Sequence, residues 1–251
     1  MMQTNVRAAA ADRRTLALMT TVMTVNNLIW FAIWIVFFGI AGEIRGWGLA
    51  DVARLFGMVA FSYGLAFATF GGAWRMARLI ADGQLDIHLA RPKSPLAGLV
   101  FSRAEPEAAG DMASGIILLA VFGGLSWGAG MGVALLSLAV ATILVSTAIM
   151  VNSLIFWSSG RTGVVDQIFD AFISLSTMPQ HGLPKVVKIL LFTALPAGFV
   201  AFLPADILRD FAAAKLAAMA VATLVFPVLA VVIFNQGLKR YTSGNRMLEL
   251  R

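Results

Sequence analysis

Few side chains in this sequence could do covalent chemistry. The chain has two histidines and no cysteine, which excludes a thiolate nucleophile and a thiolate metal site. The residue types of a hydrolase occur at Ser158, Ser159, Asp166 and His181. Their spacing matches no hydrolase pattern, and the G-x-S-x-G turn that exposes a nucleophilic serine does not occur. The H-E-x-x-H metal pair and the G-x-x-x-x-G-K-[ST] phosphate loop do not occur either. We therefore expect no catalytic site, no metal site, no cofactor and no ATP site in this chain.

The elements that position the remaining polar residues are apolar and long. Charged residues make up 13% of the chain, about half of the roughly 25% usual in soluble domains. Because about 20 apolar residues cross a bilayer, three of the uncharged runs fit one span each and the longest fits two. The uncharged runs are 15–42, 55–74, 112–160 and 216–238. The composition therefore predicts an all-α polytopic membrane protein with a single transmembrane domain over 1–251.

The uncharged runs give five spans, and a basic segment precedes them. Residues 1–16 are rich in alanine and arginine, which predicts a short helix at the cytoplasmic membrane surface. The first uncharged run is too long for the apolar core of a cleaved signal peptide, so we expect a retained span. The predicted spans are 20–42, 54–73, 108–126, 131–155 and 214–237.

The course of 161–204 has two interpretations. Asp166, Asp170 and Ser174 follow at helical spacing and form one polar stripe on an otherwise apolar helix. That helix could lie on the cytoplasmic surface, with 186–204 as the fifth span. Alternatively 162–178 is itself the span, and 186–204, which contains two prolines, enters the membrane only partway. Both interpretations give six crossings.

Basic residues indicate the orientation of the spans. With both termini cytoplasmic, fifteen of the nineteen Lys and Arg residues lie inside under the first interpretation and thirteen under the second. This bias is typical of cytoplasmic loops, so it explains the net charge of +6 without a nucleic-acid partner. We therefore expect both termini, including the tail 238–251, and the loop between spans two and three to be cytoplasmic.

That loop contains a compact segment over 82–96. We expect Asp82 and Gly83 to start a helix of one or two turns, with Leu85 and Leu89 on one face. A proline disfavours helix at the residue before it, so Pro92 should end this helix. Pro95 then fixes the exit from the segment, and Arg91 and Lys93 supply basic corners. A rigid helix of this kind suits docking into a groove on a partner, while an ordinary loop between spans is the alternative.

Two motifs resemble the small ABC-2-type permeases. The first is G-x-L-D-x-x-L-x-R-P-x-S-P-L over 83–96, and the second is the basic tail N-Q-G-L-K-R-Y-T-S-G-N at 235–245, with its G-L-x-x-Y segment. The resemblance implies the transmembrane subunit of an ATP-driven exporter in the bacterial inner membrane. It also implies separate ATPase subunits, which bind ATP and Mg²⁺, and a second permease chain, identical or related. A membrane scaffold or assembly factor without transport activity is the alternative function.

The resemblance also assigns roles to residues. It implies that 82–96 is the coupling helix that contacts the ATPase, and that 186–204 is re-entrant. The implied coupling residues are Gly83, Leu85, Asp86, His88, Leu89, Arg91, Pro92, Ser94 and Pro95. With 162–178 as a span, the polar stripe would face the translocation path or a subunit interface. The stripe residues are Asp166, Gln167, Asp170 and Ser174. Alternatively, cytoplasmic water and Arg161 satisfy the two aspartates at the helix end.

Overall fold

The computed structural model describes residues 13–43, 46–105, 108–124, 130–158, 160–176, 185–193 and 196–242. The regular elements in these ranges are helical. In chain order the α-helices are α1 (Arg13–Ala41), α2 (Leu49–Phe70), α3 (Gly72–Ala81), α4 (Leu85–Leu89), α5 (Pro95–Val100), α6 (Ala108–Ile117), α7 (Gly130–Ser153), α8 (Thr162–Ser176), α9 (Lys185–Thr193), α10 (Leu203–Arg209) and α11 (Ala213–Leu238). Most of the predicted surface helix 1–16 and most of the tail lie outside the described residues.

Four described helices are long and apolar enough to cross a membrane. They are α1, α2, α7 with its 3₁₀ extension to Phe156, and α11. A fifth apolar helix, α6, continues as a π-helical turn over Leu118–Phe122. Residues in α2 and α7 are largely buried inside the bundle, whereas α1 and α11 expose most of their surface. The helices α1 and α11 therefore form the outside of the bundle.

Glycines bring α2 and α6 into close contact. A Cβ on Gly115 would lie 2.6 Å from the backbone nitrogen of Phe61, and one on Gly64 would lie 2.6 Å from the Ala108 carbonyl. Small residues allow such close approach of backbones in membrane helices. The G-D-M-A-S-G stretch at 110–115 therefore packs closely against α2.

Contacts at one end of the bundle join three connections. Arg209 donates to the carbonyl of Gly46 at 2.7 Å and lies 3.6 Å from the Asp51 carboxylate. Arg54 pairs with the same carboxylate at 3.1 Å and donates to the carbonyl of Gly123 at 2.9 Å. The connections after α1, α6 and α10 therefore meet here, at what we call the Arg209 end.

The opposite end holds the α3–α5 region, and we call it the Glu105 end. Glu105 is buried and pairs with Arg75 at 3.1 Å and Arg103 at 3.0 Å. The ring of Phe156, at the end of α7, lies 6.1 Å from that of Tyr241, which follows α11. The start of α1 and the end of α11 both lie at this end of the bundle, together with α4.

The connection from 157 to 212 passes from the Glu105 end to the Arg209 end. It is built from α8, α9, a π-helical turn over Gly198–Phe202, and α10. Ile173 and Ser174, near the end of α8, line a cleft together with Val59 from the middle of α2. The helix α8 therefore extends from the Glu105 end into the bundle. The described helical residues within 186–204 belong to α9, to the π-helical turn and to the start of α10.

Candidate functional site

The helix α3 extends α2 beyond the apolar run. We had expected a polar loop from Arg75 onward, but the chain bends at Gly71 and remains helical to Ala81. Gly72 allows α5 to approach α3 closely here, because a Cβ on Gly72 would clash with the Leu99 carbonyl of α5. Met76 and Ile80 are fully buried on the inner face of α3. Thus α3 is a rigid link between a membrane helix and the segment that follows.

A left-handed turn joins α3 to α4. Gly83 has φ = +73°, a conformation that favours glycine, and its N–H donates to the Ile80 carbonyl at 3.1 Å. The next N–H, of Gln84, donates to the Leu79 carbonyl at 2.9 Å. These bonds end a helix in the manner of a C-terminal glycine cap. The expectation that Asp82 and Gly83 start α4 is therefore wrong: they end α3.

The side chains of α4 divide into an anchor and an exposed edge. Leu85 is fully buried, whereas Ile87 is 56% and Leu89 is 42% exposed. The two leucines, which we expected on one face of the helix, therefore differ in burial. Leu85 holds α4 against the bundle, and Ile87 and Leu89 form the apolar edge that a partner could contact.

His88 packs between α4 and α5. A Cβ on Gly98 would clash with Nδ1 of His88, so the imidazole lies directly on the Gly98 backbone. Burial and then the nearby Arg91 guanidinium lower the pKa of His88 below its ordinary value, so the neutral ring is favoured. A neutral imidazole suits this contact because the ring is partly removed from water.

The two prolines after α4 have different positions. Pro92 follows the last turn of α4, as predicted, within an exposed bend that also holds Arg91 and Lys93. Ser94 caps α5 by accepting from the Ala97 N–H at 3.5 Å, and Pro95 occupies the first turn. Pro95 therefore begins a second short helix, α5, where we had expected it only to fix the exit of the segment.

A hydrogen bond joins α3 to α7. The side-chain oxygen of Asn152 accepts from the backbone N–H of Ala77 at 3.0 Å, and its amide donates to the Ala148 carbonyl at 2.8 Å. Asn27 likewise bridges helices, since its amide donates to Asp111 at 2.7 Å and to Ser114 at 2.9 Å. Both asparagines therefore form interhelical hydrogen bonds.

A cleft of about 620 Å³ lies between α1, α2, α6 and α8. Its walls are mostly apolar, with polar side chains at Asn26, Asn27, Tyr63, Asp111 and Ser174. Ser174 is the member of the predicted polar stripe that lines the cleft. Asp166, Gln167 and Asp170 are exposed on the same helix.

The sequence model of a family described as ABC-2 family transporter protein matches residues 22–245, which is most of the chain. This protein belongs to the ABC-2 transporter family. No curated protein and no solved structure matches it. The ABC-2 permease is thus a multi-pass transmembrane component of an ABC transporter, as the resemblance implied.

Two acidic residues of the ABC-2 permease were missed from sequence. Glu105 and Asp111 fall in a polar stretch that we had taken for a loop and the start of a span, yet they are 4% and 6% exposed. For Asp111 a signal existed, because it directly precedes a 49-residue uncharged run. A carboxylate at such a boundary can fold into the bundle if a partner such as Asn27 faces it.

Proposed function

We propose that this ABC-2 permease is the transmembrane subunit of an ATP-driven exporter, and that α4 is its contact with a separate ATPase. The observation that carries this proposal is the division of α4 into a buried anchor at Leu85 and an exposed edge at Ile87 and Leu89. A helix anchored on one side and apolar on the other is suited to lying in a groove.

Charge supports the same contact. Arg91 and Lys93 are exposed next to the apolar edge of α4. Cationic groups at the rim of an interface steer and orient a partner more than they add affinity. We therefore expect the ATPase groove to present apolar side chains to Ile87 and Leu89, and carboxylates to the two basic residues.

The packing around α4 is suited to transmitting movement. Leu85 anchors α4 in the bundle, and His88 holds it against α5 at Gly98. Glu105 clamps the loop before α6 to α3 through Arg75. Asn152 then links α3 to the membrane helix α7. A displacement of α4 by a closing ATPase therefore reaches α2 and α7 through packed contacts.

The proposed topology has six crossings with both termini in the cytoplasm. Each of the five apolar helices gives one crossing, and the segment 157–212, which passes from one end of the bundle to the other, gives the sixth. In this topology α8 lies in the fifth span and 186–204 is the re-entrant segment. The excess of Lys and Arg at the Glu105 end supports placing that end on the cytoplasmic side. ATP and Mg²⁺ then belong to the ATPase, and a second permease copy or related chain completes the transporter.

Purification of the tagged chain from native membranes in mild detergent tests this function. We expect a soluble protein with a phosphate-binding loop and ATPase activity to co-purify. An Ile87→Asp and Leu89→Asp double variant should lose that partner, and Phe211→Asp, at the exposed Arg209 end, should retain it. If the wild-type chain purifies without an ATPase, the exporter function is wrong and a scaffold or assembly role is favoured.

A further inference from the structure

The end of α11 carries basic side chains beside an exposed tryptophan. Lys239 caps α11 and Arg240 follows it, while Trp157 comes just after the 3₁₀ extension of α7 and Arg161 four residues later. We call these four residues the Trp157 patch. We propose that it binds the phosphate of an anionic phospholipid from the surrounding bilayer. This binding would be a property of the permease itself and requires no ATPase.

Packing holds Arg240 in a defined position. Its guanidinium lies 5.6 Å from the centroid of the Trp157 ring, within the range of a cation–π contact. The backbone nearby is close to α7, because a Cβ on Gly237 would clash with the ring of Phe156. The rings of Phe156 and Phe234 lie 5.8 Å apart, edge to face. The patch therefore belongs to the packed ends of two membrane helices.

The positive charges of the patch are not neutralised within the described part of the chain. Arg161, Lys239 and Arg240 are exposed, and no described carboxylate forms an ion pair with any of them. A guanidinium that rests on a ring by its face still presents N–H groups along its edge. Those donors match the geometry of a phosphate, which Arg often binds through two parallel hydrogen bonds. The patch is therefore suited to an anionic phosphate group.

The position of the patch along α11 favours the phosphate of a lipid. The helix has 26 residues and is about 39 Å long, more than the roughly 30 Å of the hydrocarbon core. One exposed stripe at helical spacing contains Val225, Val228, Val232, Asn235 and Lys239. The stripe is apolar along most of its length and becomes polar at its end. A lipid with its chains along the three valines therefore has its headgroup beside Lys239.

Trp157 is a second indication of the headgroup layer. Its side chain is 39% exposed, and tryptophan is enriched where membrane and water meet. Basic residues at this level attract anionic lipids. The competing explanation is that Lys239 and Arg240 only interact with the negative end of the α11 dipole. That interaction stabilises the helix without any lipid, so lipid dependence distinguishes the two explanations.

Thermal unfolding of the full-length chain in mild detergent, without ATPase, tests the proposal. The probes are phosphatidylglycerol, phosphatidylcholine with the same acyl chains, and glycerol 3-phosphate. Both lipids contain a phosphate, but only phosphatidylglycerol has a net negative charge. We expect phosphatidylglycerol to raise the melting temperature in a saturable manner and well above the effect of the other two probes. In Arg240→Gln, the phosphatidylglycerol concentration for half of this effect should rise about fivefold, as expected for one basic residue near a membrane surface.

Two further variants complete the test. Lys239→Gln should shift the half-effect concentration in the same direction, and it decides the matter if Arg240→Gln does not fold. Arg78→Gln removes an exposed cation from α3, at the same end of the bundle, and should leave that concentration unchanged. If Arg240→Gln and Lys239→Gln only lower the melting temperature and keep the wild-type response to phosphatidylglycerol, the dipole explanation is correct and the proposal is overturned.

Three other results would also overturn the proposal. Equal stabilisation by the two lipids would indicate apolar packing of acyl chains alone. Stabilisation by glycerol 3-phosphate as strong as that by phosphatidylglycerol would indicate a site for a soluble phosphate. No stabilisation by any probe would indicate that the patch meets an acidic protein surface instead. Because no ATPase is present, none of these results bears on the contact made by α4.

Discussion

Asn152 on α7 accepts a hydrogen bond from the backbone N–H of Ala77 on α3 at 3.0 Å. This bond joins a membrane helix to the helix that carries α4, at a depth where both residues are buried. Interhelical bonds of this type contribute only about 0.6 kcal/mol on average to membrane-protein stability. Its importance here is therefore positional: it fixes the distance between α3 and α7.

Replacing Asn152 by leucine should uncouple ATP hydrolysis from transport without unfolding the protein. Loss of the bond frees α3 to move without α7, so we expect substrate-stimulated ATPase activity of the reconstituted transporter to fall while the basal rate persists. Asn235→Leu is the matched control, since Asn235 is exposed on α11. Equal effects of the two substitutions, or full stimulation in Asn152→Leu, would show that the bond has no role in coupling.

Adding one methyl group at Gly98 should displace α4. A Cβ at this position clashes with the His88 ring, so Gly98→Ala should reduce co-purification of the ATPase. Combining it with His88→Ala removes the ring and should restore much of the association. Gly130→Ala serves as the control, because a Cβ there meets nothing within 4 Å. Failure of the double variant to improve on Gly98→Ala would contradict the packing argument.

The sequence predicted the membrane helices better than the α3–α5 region. Uncharged runs locate helices because hydrocarbon excludes charge along a whole segment. The α3–α5 region depends instead on close contacts at Gly72 and Gly98 and on the left-handed turn at Gly83. Glycine has no side chain to show which neighbour it meets. The helical spacing of Leu85 and Leu89 likewise did not show which of them is buried, because spacing along one helix does not reveal the neighbours of that helix.

The candidate cleft was predictable only in part. The polar stripe on α8 is visible as a spacing, and Ser174 does line the cleft. Asp111 and Tyr63 come from two other helices, and their meeting depends on how α2 and α6 pack. No spacing along a single segment contains that information. The burial of Glu105 likewise depends on two arginines, Arg75 and Arg103, which both contact its Oε1.

Removing the charge of Glu105 should destabilise the Glu105 end. Its buried carboxylate pairs with Arg75 and Arg103, which are 45% and 53% exposed and therefore remain hydrated when the pair is broken. We expect Glu105→Gln to lower the free energy of unfolding by about 1.5–3 kcal/mol, the range for hydrogen bonds to charged groups. Thermal unfolding in detergent measures this, with the exposed Glu43→Gln as control. If Glu105→Gln and Glu43→Gln unfold at the same temperature, the ion pairs of Glu105 do not stabilise this end of the bundle.

Acidification should loosen α4. The pKa of His88 is lowered in the fold from its ordinary value of 6.5, so the unfolded segment binds a proton more readily than the folded one. The stability that the neutral ring contributes is therefore present above about pH 6.5 and is lost as the pH falls below it. Hydrogen exchange of the α4 amides, corrected for intrinsic rates, should quicken in acid. His88→Phe should remove this pH dependence, and its persistence in that variant would assign the effect to another group.

Cross-linking from α4 tests the central claim most directly. The chain has no cysteine, so a cysteine placed at Leu89 or at Phe211 is the sole thiol in the permease. Both positions are exposed, at opposite ends of the bundle. In native membranes, a thiol-directed cross-linker should join Leu89→Cys to the nucleotide-binding subunit and leave Phe211→Cys unjoined. Capture of that subunit from Phe211→Cys instead, or labelling of Leu89→Cys by an impermeant reagent added outside intact cells, would contradict it.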